Sequence, residues 1–273
     1  MLVSSDAAWQ VMGMTRVMIT GANGRVGRLL RPWLGEAVIW CRRGPGEALD
    51  WDPLAGPAPL LAYCESHGAP DAVIQLGRGD DRAIGLATVA AARKAGIPRV
   101  LLASSSAVYG FSRDADWDEG DPTEPPSPYG QSKLAMERAC AGPGVTMLRI
   151  GNVAGADALL TNPRRPLLLD RFPNGAGPLR NYIGPQTLAR VLIALAKAHA
   201  LPPILNLAAP RPVDMADLAR AAGLPVERQP APPHALARLT LATTRLEQIQ
   251  TFEDTDSDPA AMVAQWQDSL RPA

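Results

Sequence analysis

Tyr129 and Lys133 are the residues of this chain whose types and spacing are best suited to moving a proton. They lie four residues apart in Ser127-Pro-Tyr-Gly-Gln-Ser-Lys133, so in a helix their side chains share one face. A lysine ammonium about 4 Å from a phenol favours the phenolate by up to ~4 kcal/mol at an effective dielectric of ~20. Because Ser127 can cap a helix and Pro128 suits its first position, we predict a helix that carries Tyr129 in its first turn. Tyr129 could then exchange a proton near neutral pH.

A glycine-rich turn, Gly21-Ala-Asn-Gly-Arg-Val-Gly27, directly follows an apolar run at residues 16–20 and opens a helical pattern. Glycines at these three steps allow a tight turn, a close approach of pyrophosphate to backbone amides, and contact between helix and sheet. An ordinary strand-to-helix turn is the alternative, but the position after a buried strand favours a dinucleotide. The predicted cofactor-binding residues of this turn are Gly21, Asn23, Gly24, Arg25, Val26 and Gly27.

The end of the second predicted strand bears on which dinucleotide binds. An acidic residue that binds the ribose hydroxyls is expected about twenty residues after the first glycine. Cys41 occupies that position here, and Arg42 and Arg43 follow it. Two guanidiniums could hold a 2′-phosphate, which favours NADP(H) over NAD(H), unless both are solvated loop charges. Asp52 could accept a hydrogen bond from the adenine amino group or could be a turn residue before Pro53.

The composition of the 273 residues excludes several classes of function. The chain is 47% hydrophobic and 20% charged, which suits a protein with a sizeable core. Its 27 basic and 27 acidic residues create no overall field that would attract nucleic acid or an anionic membrane. Three cysteines and three histidines share no metal-ligand spacing, which argues against a disulfide scaffold or a metal site and fits a reducing cytoplasm. No apolar run reaches the ~18 residues of a membrane span.

Apolar runs alternate with helical patterns from Thr15 to about Asn152, which is typical of βαβ units and a Rossmann-type, doubly wound parallel sheet. We expect Pro32 to kink or end the first helix and Gly35 to finish it. The predicted strands are residues 16–20, 37–41, 72–76, 99–103, 145–150 and 204–207. The predicted helices are residues 25–34, 60–66, 82–95, 128–141 and 186–200, with shorter ones at 215–222 and 260–270.

The pattern also predicts a division of the chain. Residues 1–14 resemble neither a signal peptide nor a strand and are expected to be a disordered leader. Residues 15–154, with 182–208 returning to them, form the predicted dinucleotide-binding domain. The pattern dissolves into Pro, Gly and Arg over residues 153–181, and a second Pro-rich tract follows residue 208. Residues 155–181 and 209–273 are therefore predicted to form a small, partly irregular C-terminal lobe that binds substrate.

Several ordered motifs give the chain a family resemblance. Besides the glycine-rich turn and the Tyr-x-x-x-Lys pair, the chain has RKAGIPRVLLASSSAVYG at residues 93–110, LRIGNVAG at 148–155 and RNYI at 180–183. With these motifs the chain resembles the extended short-chain dehydrogenases/reductases of the NAD-dependent epimerase/dehydratase type. The resemblance covers residue 15 to about residue 246.

The resemblance implies a role for each matching residue. Tyr129 would give or take the hydroxyl proton, Ser105 would hold the same oxygen, and Lys133 would favour the phenolate and bind the nicotinamide ribose. Ser104 and Ser106 are alternatives to Ser105. Tyr109 is an alternative acid, but it lacks a lysine four residues on. The remaining implied contacts are Leu76 with the cofactor, Asn152 with a nucleotide-sugar, and Arg180 with the substrate phosphate.

The chain departs from the family pattern after the fourth strand. Gln75-Leu-Gly77 stands where a His-Leu-Ala-like sequence is usual, the following loop is shortened to residues 78–81, and Gln186 replaces an expected acidic residue. These departures indicate an open pocket or a small ligand.

The expected function is that of an NAD(P)-dependent oxidoreductase or epimerase that acts on a carbonyl/secondary alcohol, with a sugar or nucleotide-sugar as substrate. The alternative is a non-catalytic NADP(H)-binding protein that resembles a redox sensor. The family resemblance also implies a homodimer, formed through the helices at 82–95 and 128–141. Neither nucleic acid nor a membrane is an expected partner.

Overall fold

Seven parallel strands form the central sheet of the computed structural model, which describes residues 15–42, 44, 49–162 and 164–271. The expected leader at 1–14 and Arg43 lie outside the described residues. The strands are β1 (Val17–Thr20), β2 (Ile39–Arg42), β3 (Leu49–Asp50), β4 (Ala72–Gln75), β5 (Arg99–Ser105), β6 (Val145–Ile150), β7 (Asn152–Val153), β8 (Leu167–Arg171), β9 (Leu179–Arg180), β10 (Tyr182–Ile183), β11 (Ile204–Leu207), β12 (Val213–Asp214), β13 (Val226–Pro230) and β14 (Arg238–Leu239).

The strand order of the sheet is β11-β6-β5-β4-β1-β2-β3. Thr20, the last residue of β1, pairs with Gln75 of β4 on one side and with Cys41 of β2 on the other. The direction of winding therefore reverses between β1 and β4, and in such sheets ligands bind beyond the carboxyl ends of the strands at this point. The predicted Rossmann-type parallel sheet is confirmed.

The helices are α1 (Arg25–Leu34), α2 (Ala58–His67), α3 (Asp81–Lys94), α4 (Pro128–Cys140), α5 (Ala158–Thr161), α6 (Pro185–Lys197), α7 (Met215–Ala221), α8 (Thr244–Glu247) and α9 (Pro259–Asp268). Short 3₁₀ turns occur at Gly35–Ala37, Pro53–Ala55, Ser106–Val108 and Asp254–Ser257. Helix α1 does not end at Pro32 but continues to Leu34, since the proline falls in its last turn and removes only one hydrogen bond. Gly35 ends it, as expected, with a φ of 47° and its N–H bonded to the Arg31 carbonyl.

Both faces of the sheet are covered, because successive side chains of each strand enter different cores. Ile19, Ile74, Leu101 and Leu148 pack in one core with residues of α1 and α6. The neighbouring residues Met18, Val73, Leu102 and Met147 pack in the other core with residues of α3 and α4. This period of two explains why the strands are continuous apolar runs rather than alternating ones.

Residues 153–181 hold more regular structure than the sequence pattern indicates, namely α5, β8 and β9. Strand β8 pairs in parallel with β13, and β9 lies between β12 and β14. These strands are short, and their partners are far away in sequence, so the local pattern carries little sign of them. A separate small core joins β8, β12 and β13 to α7 and α9 and includes Leu167, Leu218 and Met262.

Candidate active site

The glycine-rich turn lies between β1 and α1 at the carboxyl edge of the sheet. Gly21 has a φ of +81°, which favours glycine, and its carbonyl accepts a 2.9 Å hydrogen bond from the Gly24 N–H. A Cβ on Gly27 would lie 2.4 Å from the Gly21 oxygen, so the helix can approach the turn only without a side chain there. Among the described residues, no side chain caps the start of α1 and no acidic residue lies in its first turn. These amides can therefore receive an anion.

The turn after β4 packs directly against the glycine-rich turn. A Cβ on Gly21 would lie 2.5 Å from the backbone nitrogen of Gly77. Leu76 is buried, and its N–H donates to the Thr20 carbonyl. The Gln75 side chain donates to the Gly77 carbonyl at 3.0 Å. Gln75, which departs from the family pattern, therefore stabilises the turn that faces the predicted cofactor site.

Of the residues predicted at the adenosine end of the cofactor site, the structure describes Cys41, Arg42 and Asp52 but not Arg43. Cys41 is fully buried, and burial raises the pKa of its thiol. Arg42 is half-buried at the end of β2, opposite Asp50 of β3, a residue that the sequence analysis did not select. Asp52 accepts a hydrogen bond from the Leu54 N–H at 3.1 Å and caps the 3₁₀ turn at Pro53–Ala55. The structure thus gives Asp52 a turn role, and its contact with adenine stays a prediction.

The Tyr129 and Lys133 pair lies in the first turns of α4, as predicted. The Ser127 hydroxyl caps the helix by accepting from the Gly130 N–H at 3.1 Å. A Cβ on Gly130 would lie 2.5 Å from the Ala107 carbonyl oxygen, so the helix start packs closely on the turn that follows β5. Tyr129 is 40% exposed, whereas Lys133 is buried with its Nζ 5.9 Å from the centroid of the Tyr129 ring.

Lys133 is held by two oxygens that fix its position. Its Nζ donates to the Ala103 carbonyl of β5 at 2.9 Å and forms an ion pair with Asp81 Oδ1 at 2.9 Å. The Ser132 hydroxyl donates to the other oxygen of the same carboxylate at 3.0 Å. Sequence reasoning missed Asp81, which is the first residue of α3 and lies 52 positions before the lysine.

Of the three consecutive serines Ser104, Ser105 and Ser106, Ser105 is the one that is not buried. Ser104 and Ser106 are buried, whereas Ser105 is half-buried and lies on the same face of β5 as Ala103, beside which Lys133 is held. The Ser105 hydroxyl accepts a 3.2 Å hydrogen bond from the Ala107 N–H. This exposure favours Ser105 over its two neighbours as the residue that meets substrate.

Tyr109, the alternative acid, is fully buried. Its hydroxyl donates to Asn206 Oδ1 at 2.7 Å, and burial raises its pKa to about 12. A phenol that is enclosed and already bonded in this way is poorly placed to exchange protons with a substrate. The geometry therefore favours Tyr129.

A buried polar network that sequence reasoning missed supports the strand and helix of the site. The Ser104 hydroxyl donates to Glu137 at 2.5 Å, and Glu137 forms a buried ion pair with Arg149 at 2.8 Å. Burial lowers the pKa of Arg149, but the hydrogen bonds and charges of Glu137 and Tyr109 together more than offset this and raise it. Arg149 also donates to the Glu119 carbonyl at 3.2 Å. Because Glu137 lies one turn after Lys133, its spacing is the sequence signal that could have found it.

The predicted substrate residues lie among the short strands beyond the sheet. Asn152 donates to Asp157 Oδ2 at 3.3 Å, and the Tyr182 hydroxyl donates to the same oxygen at 2.7 Å. Burial raises the pKa of Asp157 against the opposing effect of the Tyr182 hydrogen bond. Burial, followed by the charge of Asp157, holds the pKa of Tyr182 well above its usual value. Asn152 is thus bonded to a neighbouring carboxylate, and its contact with substrate stays a prediction.

Arg180 of β9 is held by backbone carbonyls. It donates to Leu179 and Leu236 at 2.7 Å and to Ala237 at 3.4 Å. Burial lowers its pKa. The structure thus gathers the glycine-rich turn, Tyr129, Lys133 and Ser105 at one sheet edge, whereas the contacts of Asn152 and Arg180 lie among the short strands.

The described part of the chain offers neither a metal site nor a membrane-spanning helix. No group of three or more His, Cys, Asp or Glu side chains there is placed to hold a metal ion. Every helix there is too short or too polar to cross a membrane.

The sequence of this chain is similar to those of known proteins. Residues 17–168 match the model of the NAD dependent epimerase/dehydratase family. A curated UDP-glucose 4-epimerase of Azospirillum brasilense is 40% identical over 78 residues, which are 26% of this chain and 22% of that protein. The chain thus aligns with less than a quarter of the length of this relative.

Solved structures share the fold over nearly the whole chain. A UDP-glucose 4-epimerase from Brucella ovis in complex with NAD aligns with a TM-score of 0.75 and 20% identity, over 91% of this chain and 96% of that one. A UDP-glucose-4-epimerase from Stenotrophomonas maltophila with bound NAD and formylated UDP-arabinopyranose aligns with a TM-score of 0.74 and 17% identity, over 93% of this chain and 98% of that one. At these identities the likeness shows the fold.

Proposed function

Because the chain belongs to the NAD dependent epimerase/dehydratase family, we propose that it is an NAD(P)-dependent oxidoreductase or epimerase. It acts by hydride transfer on the carbonyl/secondary alcohol of a nucleotide-sugar. The observation that carries this proposal is the position of Tyr129 over the buried Lys133, with Ser105 on the adjoining strand. Such a set is needed for proton transfer and would not be needed for binding alone.

The residues at the sheet edge fit a nicotinamide dinucleotide. The uncapped start of α1 leaves backbone amides for a pyrophosphate. Gly21 and Gly77 let the two neighbouring turns pack closely beside these amides. The cofactor-binding set is Gly21, Asn23, Gly24, Arg25, Val26, Gly27, Arg42, Arg43, Asp52, Leu76, Tyr129 and Lys133. When bound, the nicotinamide supplies the group that accepts or gives a hydride.

The chain's own residues handle the proton and the oxygen of the substrate. The Tyr129 hydroxyl gives the proton to the substrate oxygen or takes it away. The Ser105 hydroxyl holds the same oxygen, and the Lys133 ammonium binds the nicotinamide ribose. Asp81 and the Ala103 carbonyl keep that ammonium in place. Ser104, Glu137 and Arg149 join β5, α4 and β6 behind the site and so hold the two active elements together.

The proposed cofactor preference is NADP(H) over NAD(H). Its support is the absence of a carboxylate at Cys41 and the basic side chain of Arg42, followed in sequence by Arg43. Asp50, which lies opposite Arg42 in the sheet, opposes this preference, because its carboxylate has the same sign of charge as a 2′-phosphate. Calorimetric titration with NADPH and NADH tests it, with Arg42→Gln as the variant. We expect tighter NADPH binding that falls about tenfold or more in the variant, because a charge-assisted contact is lost. Equal affinities for the two cofactors would overturn the preference.

The substrate lobe is proposed to comprise residues 155–181 and 209–273, with Asn152 at its border. Arg180 supplies a guanidinium whose partners are backbone carbonyls rather than a carboxylate, which suits it to a substrate phosphate. The proposed partner of the protein is therefore a small phosphorylated molecule.

Tyr129→Phe tests the enzymatic function. The reaction is followed with a panel of UDP-sugars and saturating cofactor, by chromatography of the sugars and by nicotinamide absorbance. At saturating cofactor we expect turnover to fall by about 10²–10⁴-fold, since a positioned acid–base group contributes that much. Tyr63→Phe is the matched control, because Tyr63 stacks on His67 in α2 and has no place in the proposed site. Unchanged turnover in Tyr129→Phe would refute the assignment.

A non-catalytic NADP(H)-binding protein is the second candidate. The shortened loop at residues 78–81 and the structural role of Gln75 favour it. Tight cofactor binding without turnover of any sugar in the panel would support this candidate over the enzyme.

We also propose that the protein forms a homodimer in the cytoplasm. Exposed Leu86 and Ala90 on α3 and exposed Ala135 on α4 provide small and apolar surface for such a contact. Sedimentation of the protein and of Leu86→Glu tests this. We expect a dimer that the charged side chain dissociates, and a monomeric parent protein would refute it.

A further inference from the structure

Two cations lie over the ring of Tyr129, and only one of them is neutralised. Lys133 Nζ is 5.9 Å from the ring centroid, and its charge is compensated by Asp81 at 2.9 Å. The Arg78 guanidinium carbon is 5.2 Å from the same centroid. Within the described part of the chain, no carboxylate lies within salt-bridge distance of Arg78. Asp80 instead caps α3 by accepting from the Ala83 N–H at 3.0 Å.

The backbone on both sides of Arg78 is held in place. On one side, Gly77 packs on Gly21, and its carbonyl accepts from the Gln75 side chain. On the other side, the cap at Asp80 fixes the start of α3. The exposed arginine is therefore carried by a short loop with two fixed ends, and its guanidinium lies over the ring of the phenol.

The chemistry of the guanidinium indicates the kind of group that Arg78 binds. Contact with an aromatic face uses none of its five N–H donors, which remain available in a planar fork that matches a carboxylate or a phosphate. A substrate whose alcohol oxygen reaches the Tyr129 hydroxyl brings the groups beside its reacting carbon next to Arg78. We propose that Arg78 determines specificity by binding a carboxylate carried on the sugar beside the reacting carbon. This inference rests on the proposed function, which it extends to acidic nucleotide-sugars.

Two matched ligands test the inference. UDP-glucuronate and UDP-glucose share the nucleotide, the diphosphate and the ring configuration, and they differ in a carboxylate against a hydroxymethyl group. Binding of each is measured by calorimetry to cofactor-saturated protein in a Tyr129→Phe background, which keeps the aromatic ring and blocks turnover. The compared variants are Arg78→Gln, Arg78→Lys and the control Arg82→Gln, which removes an exposed charge from the first turn of α3.

We expect the parent to bind UDP-glucuronate at least about tenfold more tightly than UDP-glucose, as a charge-assisted pair provides. Arg78→Gln should weaken UDP-glucuronate binding about ten- to a hundredfold and leave UDP-glucose binding within about twofold. Arg78→Lys should be intermediate, because an ammonium keeps the charge without the fork. Arg82→Gln should change neither affinity.

Other results overturn the inference in distinguishable ways. Equal affinity of the parent for both sugars, or a difference that persists in Arg78→Gln, refutes the role of Arg78 and leaves the proposed function intact. If Arg78→Gln weakens both sugars equally, the arginine binds the shared diphosphate instead of a carboxylate. If neither sugar binds the cofactor-loaded protein, the proposed substrate class fails, and this inference fails with it.

Discussion

Asp81→Asn should destabilise the protein far more than Asp80→Asn, although the two aspartates are neighbours at the start of α3. The side chains of Asp81 and Lys133 are 7% and 4% exposed, and their charged atoms are 2.9 Å apart. At an effective dielectric of ~20, this separation corresponds to an attraction of about 6 kcal/mol. Desolvation of both ions offsets part of it. Removing one partner of a buried pair therefore costs about 3–5 kcal/mol, because the other charge is left uncompensated.

The asparagine nearly preserves the volume of the side chain, and its oxygen can still accept from Lys133, so the variant mainly removes charge. Asp80 is exposed and caps the helix, a role that asparagine fills equally well, so Asp80→Asn should change stability by no more than about 0.5 kcal/mol. Urea unfolding measures both variants. With a slope of about 3 kcal/mol per M, Asp81→Asn should lower the midpoint by about 1 M or more.

The double variant Asp81→Asn/Lys133→Met separates the buried charge from a simple loss of packing. It should recover much of the lost stability, because the uncompensated ammonium is gone. A loss below about 1 kcal/mol in Asp81→Asn, or a double variant no more stable than the single one, would refute the reasoning.

Two further predictions concern the glycine-rich turn and Asp157. Gly27→Ala should cost about 1–3 kcal/mol of stability, because its Cβ would lie 2.4 Å from the Gly21 carbonyl oxygen. Gly24→Ala should cost less stability, because its Cβ would lie 3.1 Å from the same oxygen, and should mainly weaken cofactor binding. Equal loss of stability in the two variants, measured by thermal unfolding and cofactor titration, would contradict this. The pKa of Asp157 is raised in the folded state, so the unfolded state loses this proton first as the pH rises. The wild type should therefore lose stability relative to Asp157→Asn as the pH rises above the usual aspartate pKa of about 3.9. Urea unfolding of both proteins between pH 4 and 7 checks the sign, and a difference that does not change with pH would count against the buried carboxylate.

The predictions that depend on local spacing agree well with the structure. The bounds of α1, β6 and β11 match the predicted ones, because each is a periodic or continuous apolar segment with a clear start and end. The common face of Tyr129 and Lys133 follows from the helical repeat alone, and the glycine-rich turn follows from its place between a strand and a helix. The family resemblance alone selects Ser105 among three serines, and the alternation of β5 leaves Ser105 half-buried while Ser104 and Ser106 are buried.

The sequence by itself determined the sheet, the helices that cover it and the separation of Tyr129 and Lys133 by one helical turn. Periodicity and glycine placement are properties of neighbouring residues, so they can be read without knowing the fold. Only the tertiary structure decided that Asp81 neutralises Lys133, that Arg78 lies over Tyr129, and that β8 pairs with β13. These contacts join residues about fifty to sixty positions apart, and burial sets their strength, so no local pattern of the chain records them.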